Sequence, residues 1–152
     1  MGISNKFYGY AHFICRGKQW FVLGDKVTSI GASAFYKCDK MTKLTLPEGL
    51  MTIDNRAFDD CESMTNVTIP SSVTYIGDKV FLGCTALKTA YIKSTTPPYM
   101  GNLVFSYFQG GSSYSDIQTR IYVPASDDNS IIDAYKAATG WSKYKYYIYE
   151  KP

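Results

Sequence analysis

The sequence predicts a right-handed repeat solenoid, in which short β-strands alternate with short helical or 3₁₀ turns and a C-terminal helical cap closes the last coil. The first observation is a pattern that recurs at a spacing of 23 residues without insertion. The second is a short polar–apolar alternation at the same place in every copy, typical of a strand with one buried face. Such a repeat cannot bury its apolar face alone, so neighbouring copies must stack.

Residues 1–26 precede the regular copies and are expected to form a degenerate N-terminal coil or a hairpin. Counting one period back from Cys38 reaches Cys15, which favours a decayed repeat. The alternative is a hairpin that turns at Arg16-Gly17-Lys18, since glycine beside polar residues supplies turn geometry. The two interpretations are compatible, because a first coil has one face without a neighbour and must differ from interior coils.

The three regular copies occupy residues 27–93. Each contains an alternating run, at residues 43–46 in the first copy, and Pro47 and Pro70 end strand pairing because proline lacks an N–H. A second extended piece, at residues 28–30 in the first copy, and one helical or 3₁₀ turn complete the repeat. The aromatic residue shared by the turns predicts a buried stack formed by Phe35, Phe58 and Phe81.

Residues 94–124 are expected to form an irregular last coil with a loop at 109–116, which brings the total to about five coils. Residues 125–152 are expected to cap that coil. Asn129 or Ser130 suits the N-cap of a helix over residues 131–138, and Gly140 suits its end. The cap helix should turn Tyr135 and Trp141 towards the last coil. The chain is therefore expected to be one domain over residues 1–152.

The repeat Val-Thr-x-Ile-Gly-x-x-Ala-Phe-x-x-Cys-x-x-Leu-x-x-Leu-x-Leu-Pro resembles the BspA-type class of leucine-rich repeats. The segment from Ile121 to Ser142 is similar to the closing segment common in that family, so the likeness covers residues 27–142. The resemblance implies a leucine-rich-repeat solenoid belonging to a bacterial cell-surface or secreted protein, with a role in adhesion or host interaction. It implies no enzymatic activity and no cofactor, and a host or matrix surface protein as the partner. The polar start of the sequence is no signal-peptide hydrophobic region, so either the protein is cytosolic or, as we expect, a leader has been removed.

Four cysteines at equal spacing allow three interpretations. Zinc sites normally use a close pair of cysteines, which is missing. A disulfide between neighbouring coils fits the rise of about 4.8 Å expected between paired strands, although parallel side chains strain its dihedral. The favoured interpretation is a ladder of buried free thiols, packed as small apolar side chains. It is formed by Cys15, Cys38, Cys61 and Cys84.

No catalytic or metal centre emerges from the remaining polar residues. His12 has no nucleophile or orienting partner at a known spacing and is expected at the core or rim. The acidic pairs at residues 59–60 and 127–128 lack calcium-loop spacing, so solvated turns are expected there. The net charge of +3 comes from scattered lysines and arginines, which excludes a nucleic-acid footprint, and no apolar stretch reaches the ~20 residues of a membrane span.

The outward strand positions form the most informative surface. Residue types enriched at binding hot spots occur there, and the candidate protein-binding residues are Trp20, Lys43, Tyr91, Arg120 and Tyr122. The leading hypothesis is a non-enzymatic protein-binding module. The alternative is a structural spacer or assembly domain that makes no specific ligand contact.

Overall fold

The computed structural model describes residues 6–7, 15, 17–108, 114–115 and 119–151. Its elements in chain order are β1 (Lys6–Phe7), β2 (Trp20–Val22), β3 (Ser29–Ile30), β4 (Lys43–Thr45), β5 (Thr52–Ile53), β6 (Asn66–Ile69), β7 (Tyr75–Ile76), β8 (Thr89–Ile92), β9 (Tyr99–Met100), β10 (Tyr107–Phe108), β11 (Tyr114–Ser115), β12 (Arg120–Val123), α1 (Ser130–Ala137), a 3₁₀ helix (Ser142–Tyr147) and β13 (Ile148–Glu150). Each regular repeat contributes two strands, one at the predicted alternating run and one at the predicted second extended piece.

Parallel pairing joins most strands to their counterparts in the next repeat, although β4 and β6 belong to separate sheets. One sheet of five strands has the order β1-β3-β5-β7-β9, and a second sheet of four strands has the order β13-β12-β8-β6. The strands β2 and β4 form a separate parallel pair, whereas β10 and β11 are antiparallel. The register confirms the period, since Ser29 pairs with Thr52 and Thr52 pairs with Tyr75. These parallel sheets and the recurring register are those of a repeat fold.

The turn between the two strand positions carries a third set of hydrogen bonds between repeats. The N–H of Phe35 donates to the carbonyl of Ala57 at 2.7 Å, and the N–H of Lys37 donates to the carbonyl of Asp59 at 2.9 Å. Ser33 and Lys37 have positive φ angles of 56° and 59°. The prediction of a helical or 3₁₀ turn is therefore wrong, because residues with positive φ interrupt a right-handed helix. The alternate N–H groups of the turn point to the next repeat instead.

The core is a set of aligned apolar columns. Phe35 and Phe58 stack at a centroid distance of 5.2 Å, and Phe81 continues the stack, which confirms the predicted aromatic column. The strand residues that alternate with exposed ones also face inward, among them Val67 and Ile69. Because every interior repeat covers its neighbours in this way, the apolar face of one repeat is buried only by the next.

The C-terminal segment contacts the end of the repeats. The helix α1 begins at Ser130 and ends at Ala137, so it is only eight residues long. The hydroxyl of Tyr135 donates to the carbonyl of Ser94 at 2.9 Å, and Nε1 of Trp141 donates to the carbonyl of Pro98 at 2.7 Å. Both aromatic side chains are buried, which confirms their predicted orientation. The parallel strand β13 beside β12 was not predicted.

Asn129, one of the two residues predicted for the N-cap, occupies the N-cap position of α1. Its φ is 60° and its side chain makes no capping hydrogen bond. Oδ1 of Asp128 accepts the hydrogen bond from the N–H of Ser130 at 3.0 Å instead. Hydrogen bonding to the side chain and the backbone of Ser130 lowers the pKa of Asp128. The N-cap position is therefore as predicted, but the side-chain hydrogen bond comes from the residue before it.

Candidate functional site

Three tyrosines on adjacent strands form a ladder on the outward face of the four-stranded sheet. Tyr91 and Tyr122 are register partners on β8 and β12, and their rings stack with centroids 5.4 Å apart. Tyr149 on β13 follows at 5.9 Å with a tilt of 40°. Parallel in-register pairing causes this arrangement, because it points equivalent side chains the same way. Tyr91, Tyr122 and Tyr149 are called the tyrosine ladder below.

Arg120 lies on the same face as the tyrosine ladder. It is exposed, it is the register partner of Thr89, and it precedes the ladder residue Tyr122 by two positions on β12. Side chains two apart on a strand point to the same face. Three of the five predicted residues, Tyr91, Arg120 and Tyr122, therefore lie together.

The two other predicted residues belong to a different sheet. Trp20 on β2 is 69% exposed, and it pairs with Lys43 on β4. The strand β4 contacts β6, but the two strands belong to separate sheets. The five predicted binding residues are thus divided between two sheets. Trp20 and Lys43 lie at the opposite end from the tyrosine ladder.

A shallow depression of about 830 Å³ lies against the ladder. Lys93 and Lys151 line it, together with Tyr91 and Tyr122. Nζ of Lys151 lies 5.9 Å from the centroid of the Tyr91 ring, and Lys93 forms an ion pair with Glu48. This groove is called the ladder depression. Sequence reasoning missed Tyr149 and Lys151, because only the pairing of β13 with β12 brings them to this face.

A second pair of tyrosines lies on the five-stranded sheet. Tyr75 and Tyr99 are register partners whose rings stack at 5.0 Å, and Tyr99 is 57% exposed. Burial raises the pKa of Tyr75, and the neighbouring Tyr99 and the charges of Asp54 and Asp78 raise it further. The sequence carried a signal for this pair, since both tyrosines directly precede the inward Ile or Met of the second strand.

The cysteine row differs from the predicted ladder of four free thiols. Cys15 and Cys38 form a disulfide with their Cα atoms 5.2 Å apart, so the free-thiol interpretation is wrong for this pair. Adjacent repeats bring the two residues within disulfide reach, as the disulfide alternative required. Cys61 and Cys84 are free and buried, and each Sγ donates to a backbone carbonyl at 3.2 Å. Hydrogen bonding to Cys61 and burial raise the pKa of the Cys84 thiol well above its usual value.

Asp59 also departs from the expectation of a solvated turn. Its side chain is buried and lies 3.9 Å from Nε of Arg56. Burial, followed by the charge of Asp60, raises the pKa of Asp59 to about 6. Asp127 and Asp128 are exposed, as predicted. Within the described residues, no group of three or more potential metal ligands comes together, and His12 lies outside them.

Parallel ladders repeated along the chain, a continuous apolar interior and an aromatic outer face define a repeat scaffold of the kind that presents surfaces to other proteins. The BspA type Leucine rich repeat region matches residues 5–121 in six copies, and the chain belongs to this family. No curated protein matches the chain significantly. Across the described ranges, no helix has the length and apolarity needed to cross a membrane.

Proposed function

We propose that this chain is a non-enzymatic protein-binding module of a bacterial cell-surface or secreted protein and that it acts in adhesion. The family is one of protein-interaction repeats. The observation that carries the proposal is the tyrosine ladder with Arg120 on the outward face of the four-stranded sheet. Tyr91, Arg120 and Tyr122 would form the centre of the binding face, and Trp20 and Lys43 would extend it across the neighbouring sheet.

The scaffold that we propose is a single right-handed solenoid over residues 1–152, with residues 125–152 as its C-terminal cap. Hydrogen bonds join consecutive repeats at the first strand position and at the turn, and from β6 onwards also at the second strand position, which supports a coil that advances by one repeat per turn. The contacts of Tyr135 and Trp141 with residues 94–98, and the pairing of β13 with β12, support the cap.

Rigidity favours the tyrosine ladder as a binding surface. Tyrosine supplies a large contact area with only two side-chain torsions, so little conformational entropy is lost when a partner orders it. Stacking and strand pairing already restrain Tyr91 and Tyr122. Aromatic and arginine side chains usually carry most of the binding free energy of an interface. A small set of substitutions on this face should therefore weaken binding strongly.

The test is capture of proteins from host extracellular-matrix extract on immobilised protein, followed by titration of the captured protein. The double variant Arg120→Ala/Tyr122→Ala should weaken binding by about tenfold or more. Its matched control is Tyr75→Ala/Tyr99→Ala, which also removes exposed stacked rings but from the other sheet. The control should bind as the unmodified protein does.

Two outcomes would contradict the proposal. Full binding by Arg120→Ala/Tyr122→Ala would move the site away from the tyrosine ladder. Capture of no protein above a denatured-protein control would favour the spacer function instead. Thermal unfolding of each variant excludes loss of folding as the cause, because substitutions at surface positions usually change stability by about 0.5 kcal/mol or less.

A further inference from the structure

We propose that the tyrosine ladder, together with Lys93 and Lys151 beside it, binds an acidic, extended segment of the partner protein in the ladder depression. This inference rests on the proposed function and specifies the chemistry of the partner. The geometry of the rings, the charges that line the depression and the width of the ladder support it separately.

The rings leave only part of their surface available to a ligand. Tyr122 lies between Tyr91 and Tyr149, at 5.4 Å and 5.9 Å, so both faces of its ring are covered. A partner therefore meets mainly ring edges and phenol groups. Ring edges carry the positive part of the aromatic quadrupole, and a phenol hydroxyl donates hydrogen bonds. Both features favour an acceptor such as a carboxylate.

The charges beside the ladder also favour an acidic ligand. Lys93 and Lys151 line the ladder depression, and none of the described residues that line it is acidic. Nζ of Lys151 lies 5.9 Å from the centroid of the Tyr91 ring, which places its ammonium group over the ladder. Opposite charge across an interface steers association and suppresses wrong partners. An acidic segment fits this surface, and a basic one is repelled.

Lys93 already holds a carboxylate. Its Nζ pairs with Oε1 of Glu48, and both side chains are about half exposed or more, at 49% and 65%. Exposed ion pairs are weak and screened by salt, so a carboxylate of the partner can take the place of Glu48. Glu48 therefore acts as an internal stand-in for the ligand group that we propose at this lysine.

The width of the ladder sets the length of the segment. Paired strands lie about 4.8 Å apart, so three tyrosine columns span about 10 Å, and an extended chain covers that distance with about three residues. An anionic glycan shares the charge but would stack its sugar rings on aromatic faces. Because both faces of Tyr122 are covered, a polypeptide is the better fit.

The test uses a microarray of 12-residue synthetic peptides of varied composition, probed with the fluorescently labelled full chain at low salt. Peptides that contain two or three Asp or Glu residues within a short span should dominate the bound set. Binding to them should fall by about tenfold in Lys93→Gln/Lys151→Gln and at high salt. The matched control Lys26→Gln/Lys40→Gln removes the same charge from exposed positions elsewhere and should leave binding unchanged.

The other outcomes overturn the inference in distinguishable ways. Peptides that bind without acidic preference, and are lost in Arg120→Ala/Tyr122→Ala, would refute the acidic partner but leave the proposed function standing. Retention on heparin that depends on Lys93 and Lys151, with no acidic peptides bound, would assign the depression to an anionic glycan. If neither peptides nor captured matrix proteins respond to any substitution on this face, the inference and the proposed function both fail.

Discussion

The ring of Phe58 lies nearly parallel to the ring of Phe81, with centroids 5.4 Å apart and an angle of 6° between their planes. Phe105 extends the column at 5.5 Å from Phe81, and Tyr144 closes it edge-on. At the other end, Phe21 meets Phe35 edge-on. The aromatic column therefore links the first described repeat to the C-terminal segment, so its interior members should contribute strongly to stability.

Truncation of Phe58 to alanine should lower the free energy of unfolding by about 3–5 kcal/mol, through lost apolar burial and the cavity left between two rings. Urea denaturation followed by circular dichroism measures the change. Tyr75→Ala is the control, because that ring stacks on the outer surface and should cost much less. Equal losses for the two variants would contradict the assignment of Phe58 to the core column.

Unfolded protein that has not been treated with a reductant should contain two titratable thiols, from Cys61 and Cys84, and reduction should raise the number to four. Reduction should also destabilise the folded chain by about 2–4 kcal/mol, because it frees a loop in the unfolded state. Thiol titration and peptide mapping check the pairing. Four thiols in protein that has been treated with neither a reductant nor an oxidant would support the interpretation with four free thiols instead.

The buried carboxyl of Asp59 should make stability depend on pH. Its pKa of about 6 in the folded chain exceeds the ordinary value of 3.8, so the folded state binds the proton more tightly than the unfolded state. The contribution of Asp59 is therefore most favourable below the unfolded pKa and is lost as pH rises from about 4 to about 6. Above that window, ionised Asp59 costs of the order of 1–3 kcal/mol.

Replacement of Asp59 by asparagine should remove this pH dependence. The difference in unfolding free energy between the variant and the unmodified chain should grow in favour of the variant between about pH 4 and pH 6 and then level off. Chemical denaturation across pH measures the difference. Asp39→Asn is the control, because that carboxylate is exposed. A difference that does not vary with pH would show that Asp59 is not held in a desolvated site.

Alanine at Gly77 should destabilise the fold by about 1–3 kcal/mol, because there is no room for a side chain. A Cβ atom there would lie 2.5 Å from Oδ1 of Asn55 and 2.7 Å from its backbone nitrogen. That Oδ1 accepts a hydrogen bond from the N–H of Asp78 at 2.8 Å, which the intruding methyl group would disturb. Gly24→Ala is the control, since a Cβ atom there meets nothing within 4 Å. Thermal melts of both variants should differ clearly.

Deletion of residues 129–152 should cause aggregation. It removes β13, which exposes the backbone edge of β12, and it removes the buried rings of Tyr135 and Trp141. Unpaired strand edges recruit other chains. Size-exclusion chromatography with light scattering measures the effect, and deletion of residues 151–152 alone serves as the control. A truncated chain that stays monomeric and equally stable would exclude a capping role.

Much of the fold could be predicted because the copies of the repeat can be compared with one another within the same sequence. The period placed Phe35, Phe58 and Phe81 in one column, and parallel pairing at that period confirmed it. Local signals also located the C-terminal helix α1 to within a residue, because helix ends depend on short-range backbone hydrogen bonds. These features repeat or act locally, so the order of residues was sufficient evidence for them.

The turn conformation was predicted wrongly because it depends on contacts between repeats. The spacing of Phe35 and Cys38 suits a helical turn, but the backbone instead adopts positive φ at Ser33 and Lys37. The hydrogen bonds that compensate for this conformation come from the neighbouring repeat, as with Phe35 and Ala57. Bonds supplied by a neighbour leave no local trace in the sequence.

The sequence by itself determined the repeat, its apolar columns and the alternation that turns Tyr91, Arg120 and Tyr122 outward. The tertiary structure alone decided that β13 adds Tyr149 to the tyrosine ladder and that Trp20 and Lys43 lie on a separate sheet. It also decided that Cys15 bonds to Cys38 and that Asp59 is buried. The physical reason is that periodicity specifies which way a side chain points, whereas its neighbours depend on how distant segments pack.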